Sequence, residues 1–225
     1  KHRVIALDML GYVGSEKPTS GYTVENQASL IEQVLTKLGI DEAAIVGHSM
    51  GGKVVTSIAE QFPELVAGVV VIDTGPDNTY GAPSGSAKLA RAPLIGEVIW
   101  RLAPDSAIRN TLSQEFAPGY PVPEKFVDDV REQTFPSYKK SAQDQDEYTD
   151  DVPLNDRLAA TGKPVLAIFG DEDQIYDAKD SLAAYGKIPG AETLLIEGSG
   201  HSPQVEKPEE TAVAVRAFVN RLGAR

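Results

Sequence analysis

Short runs of aliphatic and β-branched residues alternate along the chain with longer stretches whose apolar positions recur every three or four residues. Five runs read as buried strands: "RVIALD" (3–8), "AAIVGH" (43–48), "VAGVVVIDT" (66–74), "PVLAIFG" (164–170) and "ETLLIEG" (192–198). Between them, "TVENQASLIEQVLTKLG" (23–39) sets Leu30, Ile31, Val34, Leu35 and Leu38 on one helical face. Thr23 or Asn26 is its candidate cap and Gly39 its stop. "GGKVVTSIAEQFP" (51–63) predicts a helix ending near Pro63, and "PEETAVAVRAFVNRLG" (208–223) a final amphipathic helix. Strands alternating with helices predict an α/β fold, with a mainly parallel sheet covered on both faces.

The pattern changes between Gly75 and about Asn155. Strand-like runs disappear, Pro and Gly become frequent, and short helical patterns take over. Ile108, Leu112 and Phe116 fall at i, i+4 and i+8, while Phe126, Val127 and Val130 form another face. The acidic run "DQDEYTDD" (144–151) reads as solvated surface. The expected organisation is a discontinuous sheet domain, 1–74 and 155–225, with a helical cap inserted at 75–154. A chain of 225 residues is long enough for such a domain.

Composition narrows the partners. A formal charge of −12 repels phosphate backbones and anionic lipid, so nucleic acid is not an expected partner. The longest apolar stretches are far too short for a membrane span. The chain has no cysteine, which excludes disulfides and cysteine catalysis. Its three histidines, His2, His48 and His201, make a histidine-rich metal cage hard to build, and no metal or organic cofactor is expected.

The chemistry gathers around one serine. Gly47-His48-Ser49-Met50-Gly51 fits G-x-S-x-G, after a predicted strand and before a predicted helix, the context a nucleophile elbow requires. A serine hydroxyl needs a base to take its proton. His2 lies at the chain start, and His48 adjoins the serine, where neighbours in an elbow diverge; His48 reads as packing or support. His201 sits in "EGSGHSPQVEKPEE", after the last predicted strand, at the sheet end where α/β sites collect. An acid must then orient the histidine. "IFGDEDQIYD" offers Asp171, Glu172 and Asp173. Asp73, after "VVVI", is a second candidate, with turn capping beside Gly75 and Pro76 as its preferred reading.

The assembled motifs resemble the α/β-hydrolase fold superfamily over effectively the whole chain. "RVIALDMLGYVGSEKP" looks like that family's strand 4 and following loop, "GHSMGGKVV" its elbow, "PVLAIFGDEDQIY" its acid turn and "GSGHSPQVEKPEE" its histidine loop. Matched residue by residue, the resemblance implies Ser49, Asp173 and His201 as the catalytic set. A serine at the elbow, where dehalogenase and epoxide-hydrolase members carry aspartate, implies an acyl-enzyme. The expected function is hydrolysis of a carboxylic ester or related acyl compound. The same three residues would serve a C–C bond hydrolase or perhydrolase, and the fold also supports a non-catalytic ligand-binding role.

Two expectations complete the picture. Leu94, Ile95, Val98, Ile99 and Trp100 are apolar cap residues for which core packing of the cap is the preferred reading and lining of an acyl pocket the functional alternative. The backbone N–H of Met50 is one oxyanion donor. The second normally follows strand 3, which in the family lies between strands 4 and 5, and the resemblance begins at strand 4. A second polypeptide or further N-terminal residues are therefore expected to supply strands 1 to 3 and that donor.

Overall fold

The computed structural model describes residues 2–81 and 96–223. Among these residues four parallel strands form one sheet: β1 (Ala43–His48), β2 (Val66–Ile72), β3 (Val165–Gly170) and β4 (Glu192–Ile196), in that spatial order. Every residue of β3, and all of β2 but Ala67, is buried. That is the reason these strands read as unbroken apolar runs: a central strand with both faces covered has no polar side to alternate with.

The helices cover the two faces unequally. On one face, α1 (Val24–Lys37), α2 (Met50–Gln61), α7 (Leu154–Thr161) and α8 (Ala178–Tyr185) pack around Val69, Val71, Val165, Ala167 and Phe169. On the other, α10 (Pro208–Leu222) covers Val70, Ile72, Leu166 and Ile168, with Phe218 buried among them. Helices α3 (Gly96–Leu102), α4 (Asp105–Leu112), α5 (Glu124–Glu132) and α6 (Phe135–Asp151) occupy the stretch between β2 and α7. A single turn, α9 (Pro203–Glu206), precedes α10. This is the α/β-hydrolase arrangement of a parallel sheet flanked by helices.

Four local expectations need correction. "RVIALD" is not a strand: it runs without a sheet partner among the described residues, and Val4 is 87% exposed. A strand's backbone groups need a neighbour to bond, and apolar composition cannot supply one. Along α1, Thr23 caps the helix by accepting from the Asn26 N–H at 3.2 Å, but Val34 and Leu38 are exposed while Val24, Gln27 and Ala28 are buried. The helix is therefore rotated from the face its apolar residues define. Phe116 lies beyond the end of α4, after a 3₁₀ turn (Ser113–Glu115), and is fully buried against Tyr120 and Phe126. Finally, the acidic run at 144–151 is not wholly solvated. Tyr148 and Thr149 are buried, and the Tyr148 hydroxyl donates to Glu60 on α2 at 2.5 Å. Arg157 of α7 bonds the same carboxylate at 3.1 Å and lies over the Tyr148 ring, joining α6, α7 and α2.

Candidate active site

β1 ends at His48 and α2 begins at Met50, so Ser49 alone makes the turn, with φ 51° and ψ −119°. Positive φ is costly for a residue with a side chain and persists only where the surroundings impose it. Here the backbone is held on both sides. The Ser49 N–H donates to Ile72 O at 2.9 Å, and the Thr74 hydroxyl donates to Ser49 O at 3.0 Å. Two glycines create the necessary room. A Cβ on Gly47 would overlap the Gly51 carbonyl, and one on Gly52 would overlap the Thr74 side chain. Gly51, the second glycine of the five-residue motif, faces open space. The close approach belongs to the glycine after it. The Met50 N–H opens α2, among the donors that a helix leaves without an internal partner.

The C-terminal ends of β3 and β4 bring the other two predicted residues together. His201 is fully buried, and its Nδ1 bonds Asp173 Oδ2 at 2.9 Å. The other carboxylate oxygen of Asp173 accepts from the N–H groups of Ile175 (2.7 Å) and Tyr176 (3.3 Å), which fixes the acid in its turn. Burial disfavours the charged imidazole, but the hydrogen bond and charge of Asp173, with Glu115 adding to them, leave the His201 pKa raised above 6.5. Its Nε2 is buried with no hydrogen-bond partner. No hydrogen bond joins it to Ser49. Instead, Oε2 of Glu115, on the 3₁₀ turn after α4, lies 3.6 Å away.

Three further residues support this pair; the sequence marks His48 as packing or support, but leaves Glu206 unmarked and reads Asp73 as a turn cap. His48 Nε2 bonds the backbone carbonyl of His201 at 2.6 Å. Burial foremost, and then the neighbouring His201, depress the His48 pKa to about 3, so the ring is neutral and Nε2 carries the donated hydrogen. The Glu206 carboxylate accepts from the N–H groups of Gly200 (3.0 Å), Ser202 (3.2 Å) and Ala117 (2.8 Å), clamping the backbone on either side of His201 to the segment after α4. Nothing in its spacing marks it, since only the folded loop turns its oxygens inward. The third is Asp73. It does not cap a turn with Gly75 and Pro76. It is buried at φ 40°, and its Oδ1 accepts from the Gly170 N–H at 3.0 Å. Its Oδ2 has no hydrogen-bond donor facing it, and side-chain atoms of Asp73, Asp173 and His201 lie within 4.8 Å of one another.

Two buried carboxyls so close cannot both be charged. Asp173 already accepts from two N–H groups and the imidazole, whereas Asp73 accepts from one N–H. The proton therefore belongs on Asp73, whose pKa is raised well above the carboxylate range by burial first and by the Asp173 charge second. Among the described residues these three are the group with the donor set for a metal ion, but the Nδ1–Oδ2 hydrogen bond already engages two of its donor atoms.

The proposed pocket residues scatter. Leu94 and Ile95 lie outside the described residues, as does the side chain of Ile99. Val98 is 54% exposed, and Trp100 stacks on Tyr138 with ring centroids 4.3 Å apart. Trp100, Ile108 and Phe135 line a cavity of about 500 Å³ together with Lys17 and Arg131. Ser49, Asp173 and His201 do not line it. Tyr176 stands nearer the chemistry, its ring 5.8 Å from that of His201 and pressed against Gly75.

The family model for the alpha/beta hydrolase fold matches residues 1–208, and the chain belongs to that family. A 2-hydroxymuconate semialdehyde hydrolase of Pseudomonas putida is 28% identical over 243 residues, covering 99% of this chain and 78% of that protein. Lipase 1 of Psychrobacter immobilis is 27% identical, covering all of this chain and 71% of the lipase. Among solved structures, a thermophilic esterase from Thermogutta terrifontis superposes with a TM-score of 0.79 at 24% identity, over 96% of this chain and 78% of the esterase. The family match and the two sequence relatives support a hydrolase, and the likeness to the esterase structure shows the fold. No helix among the described residues is long and apolar enough to cross a membrane.

Proposed function

We propose that this α/β-hydrolase family member is a serine hydrolase that cleaves a carboxylic ester or related acyl compound through an acyl-enzyme on Ser49. One observation carries the reading. A buried histidine, bonded to a buried carboxylate at 2.9 Å, keeps its far nitrogen without a hydrogen-bond partner, and the same sheet end holds a serine in a strained strand-to-helix turn.

In the proposed cycle, Ser49 Oγ attacks the acyl carbonyl carbon as its proton passes to His201 Nε2. The imidazolium formed is held by Asp173 through Nδ1–H. The carbonyl oxygen takes the negative charge and accepts from the Met50 N–H, at the positive end of α2. Collapse breaks the bond to the leaving alcohol, which takes the proton from Nε2 and leaves the acyl group on Ser49. Water then repeats the sequence against the acyl-enzyme, releasing the acid and restoring Ser49–OH and neutral His201. Ser49 must turn toward Nε2 for the first step, and such catalytic contacts are often long until substrate is bound.

Two finer parts belong to the same proposal. Residues 75–154, of which 82–95 lie outside the described residues, are read as a cap, tied to the histidine loop where Glu206 accepts from Ala117. A second oxyanion donor is assigned to a segment, N-terminal or on another chain, that pairs with the outer edge of β1. Val46 on that edge strand is 46% exposed, and residues 3–8 have no sheet partner among the described residues. Hydrolysis of a C–C bond beside a carbonyl is the alternative, because the Pseudomonas relative's name gives a semialdehyde as substrate. The deciding experiment is labelling with a fluorophosphonate, followed by mapping of the modified residue and turnover of p-nitrophenyl esters. Labelling at Ser49 is expected, with Ser49→Ala lowering turnover by several orders of magnitude. An unlabelled Ser49 with no ester turnover would remove the hydrolase reading.

A further inference from the structure

The cap delivers a carboxylate to the reacting nitrogen. Glu115 Oε2 lies 3.6 Å from His201 Nε2, too far for a hydrogen bond and too near to be electrically indifferent. Nε2 is itself buried and unpartnered, so it faces this carboxylate and the space where Ser49 and a substrate must meet. Glu115 is not sealed away: its side chain is 36% exposed, as a group lining an approach to the site would be.

Among the described residues, the other charges set directly around His201 share one sign. Asp173 bonds it, Glu206 holds its loop, and the neutral His48 and Tyr176 rings complete its surroundings. The buried cation of α2, Lys53, is turned toward α6, where it donates to Gln145 O at 3.2 Å. Among the described residues, an acyl substrate at Ser49 therefore meets a negative field, and its partly exposed member beside Nε2 is Glu115.

Resting on the serine-hydrolase reading above, we infer that Glu115 is a charge-selecting residue, admitting neutral or cationic acyl substrates and rejecting those whose acyl chain carries a carboxylate. The physical basis is direct. Nε2 must come within hydrogen-bond reach of both Ser49 Oγ and the leaving oxygen, so groups flanking the scissile bond lie within several ångströms of Glu115. At that range a unit charge in a partly desolvated site alters binding by about tenfold after allowance for solvent screening. Burial raises the Glu115 pKa, and the charge on His201 pulls it back. The selectivity should accordingly be read at about pH 8, well above the carboxylate range. The same charge makes His201 more basic, giving a second, independent sign of its presence.

The test compares three p-nitrophenyl esters of matched acyl length, ending in a methyl group, a carboxylate or a trimethylammonium. Each kcat/KM is divided by the spontaneous hydrolysis rate of that ester, at low and high salt. Wild type should prefer the neutral over the anionic ester by about tenfold or more, less so in high salt. Glu115→Gln should reduce that discrimination about tenfold, and Glu115→Asp should retain part of it. In parallel, NMR titration of the imidazole C–H signals, tractable with three histidines, should show the His201 midpoint fall in Glu115→Gln. Unchanged ester ratios together with an unmoved His201 titration would overturn the inference. If neither wild type nor variant hydrolyses the neutral ester and Ser49 stays unlabelled, it is the hydrolase reading that fails. The His201 titration then decides alone whether Glu115 faces Nε2: a downward shift supports that placement, and no shift refutes it.

Discussion

Replacing Asp73 with asparagine should make the protein more stable as pH rises, although it removes a residue from the centre of the site. Asp73 is fully buried beside Asp173, and its Oδ2 faces no N–H donor. Its folded pKa is therefore raised, by burial first and the Asp173 charge second. The unfolded chain releases this proton near pH 3.9, while the fold keeps it. Over the window from that value up to the raised folded pKa, the native state binds one proton more than the unfolded state. Stability then falls with pH, by about 1.4 kcal/mol per unit. Asparagine has no proton to keep. Its amide oxygen can accept from Gly170 N–H, its NH₂ can donate to Asp173, and it tolerates the φ of 40° better than most residues. The variant's advantage over wild type should thus widen as pH rises above the unfolded carboxylate value, by about 1.4 kcal/mol per unit, until the folded carboxyl ionises. Urea unfolding followed by far-UV circular dichroism, with unchanged m-values, measures this directly. A difference that stays flat as pH rises from about 4 to 7 would show Asp73 already ionised in the fold and refute the assignment of the proton.

Two more outcomes follow from the same geometry. The raised pKa of His201 places the acid limb of the kcat/KM profile above pH 6.5, since only the neutral imidazole can take the Ser49 proton; a limb centred at or below that value would contradict the Asp173–His201 coupling. Gly47→Ala forces a methyl group into the Gly51 carbonyl and should cost about 3 kcal/mol or more in urea unfolding while slowing fluorophosphonate labelling of Ser49, whereas Gly51→Ala, facing open space, should leave both nearly unchanged.

The candidate site was legible in the chain to an unusual depth because its parts are local. A strand, a G-x-S-x-G turn and a helix are contiguous, so Ser49 could be placed from the order of residues alone. Asp173 and His201 each follow a continuous apolar run, and parallel strands bring their C-terminal ends together whatever the details of packing. The layering of the sheet was equally legible: β2 and β3 are buried on both faces, and their composition shows it. The chain by itself also determined the charge, the lack of cysteine and the shortage of histidine, which bounded the chemistry.

Tertiary structure decided whatever depends on a neighbour distant in sequence. "RVIALD" has the composition of a strand, yet a strand exists only when a second backbone accepts its hydrogen bonds, and no described segment does so. Asp73 looked like a turn residue because the carboxyl it opposes lies 100 positions later. Glu206 has no signature, since its role is to gather three N–H groups from two loops. Glu115 sits on a 3₁₀ turn after a weakly patterned helix, and only the packing of that segment beside the histidine loop carries its charge to Nε2. Local order fixes which residues can do chemistry, because elbows and strand ends are short-range events. Packing sets the electrostatics around them, because burial and charge pairing are properties of space and not of sequence distance.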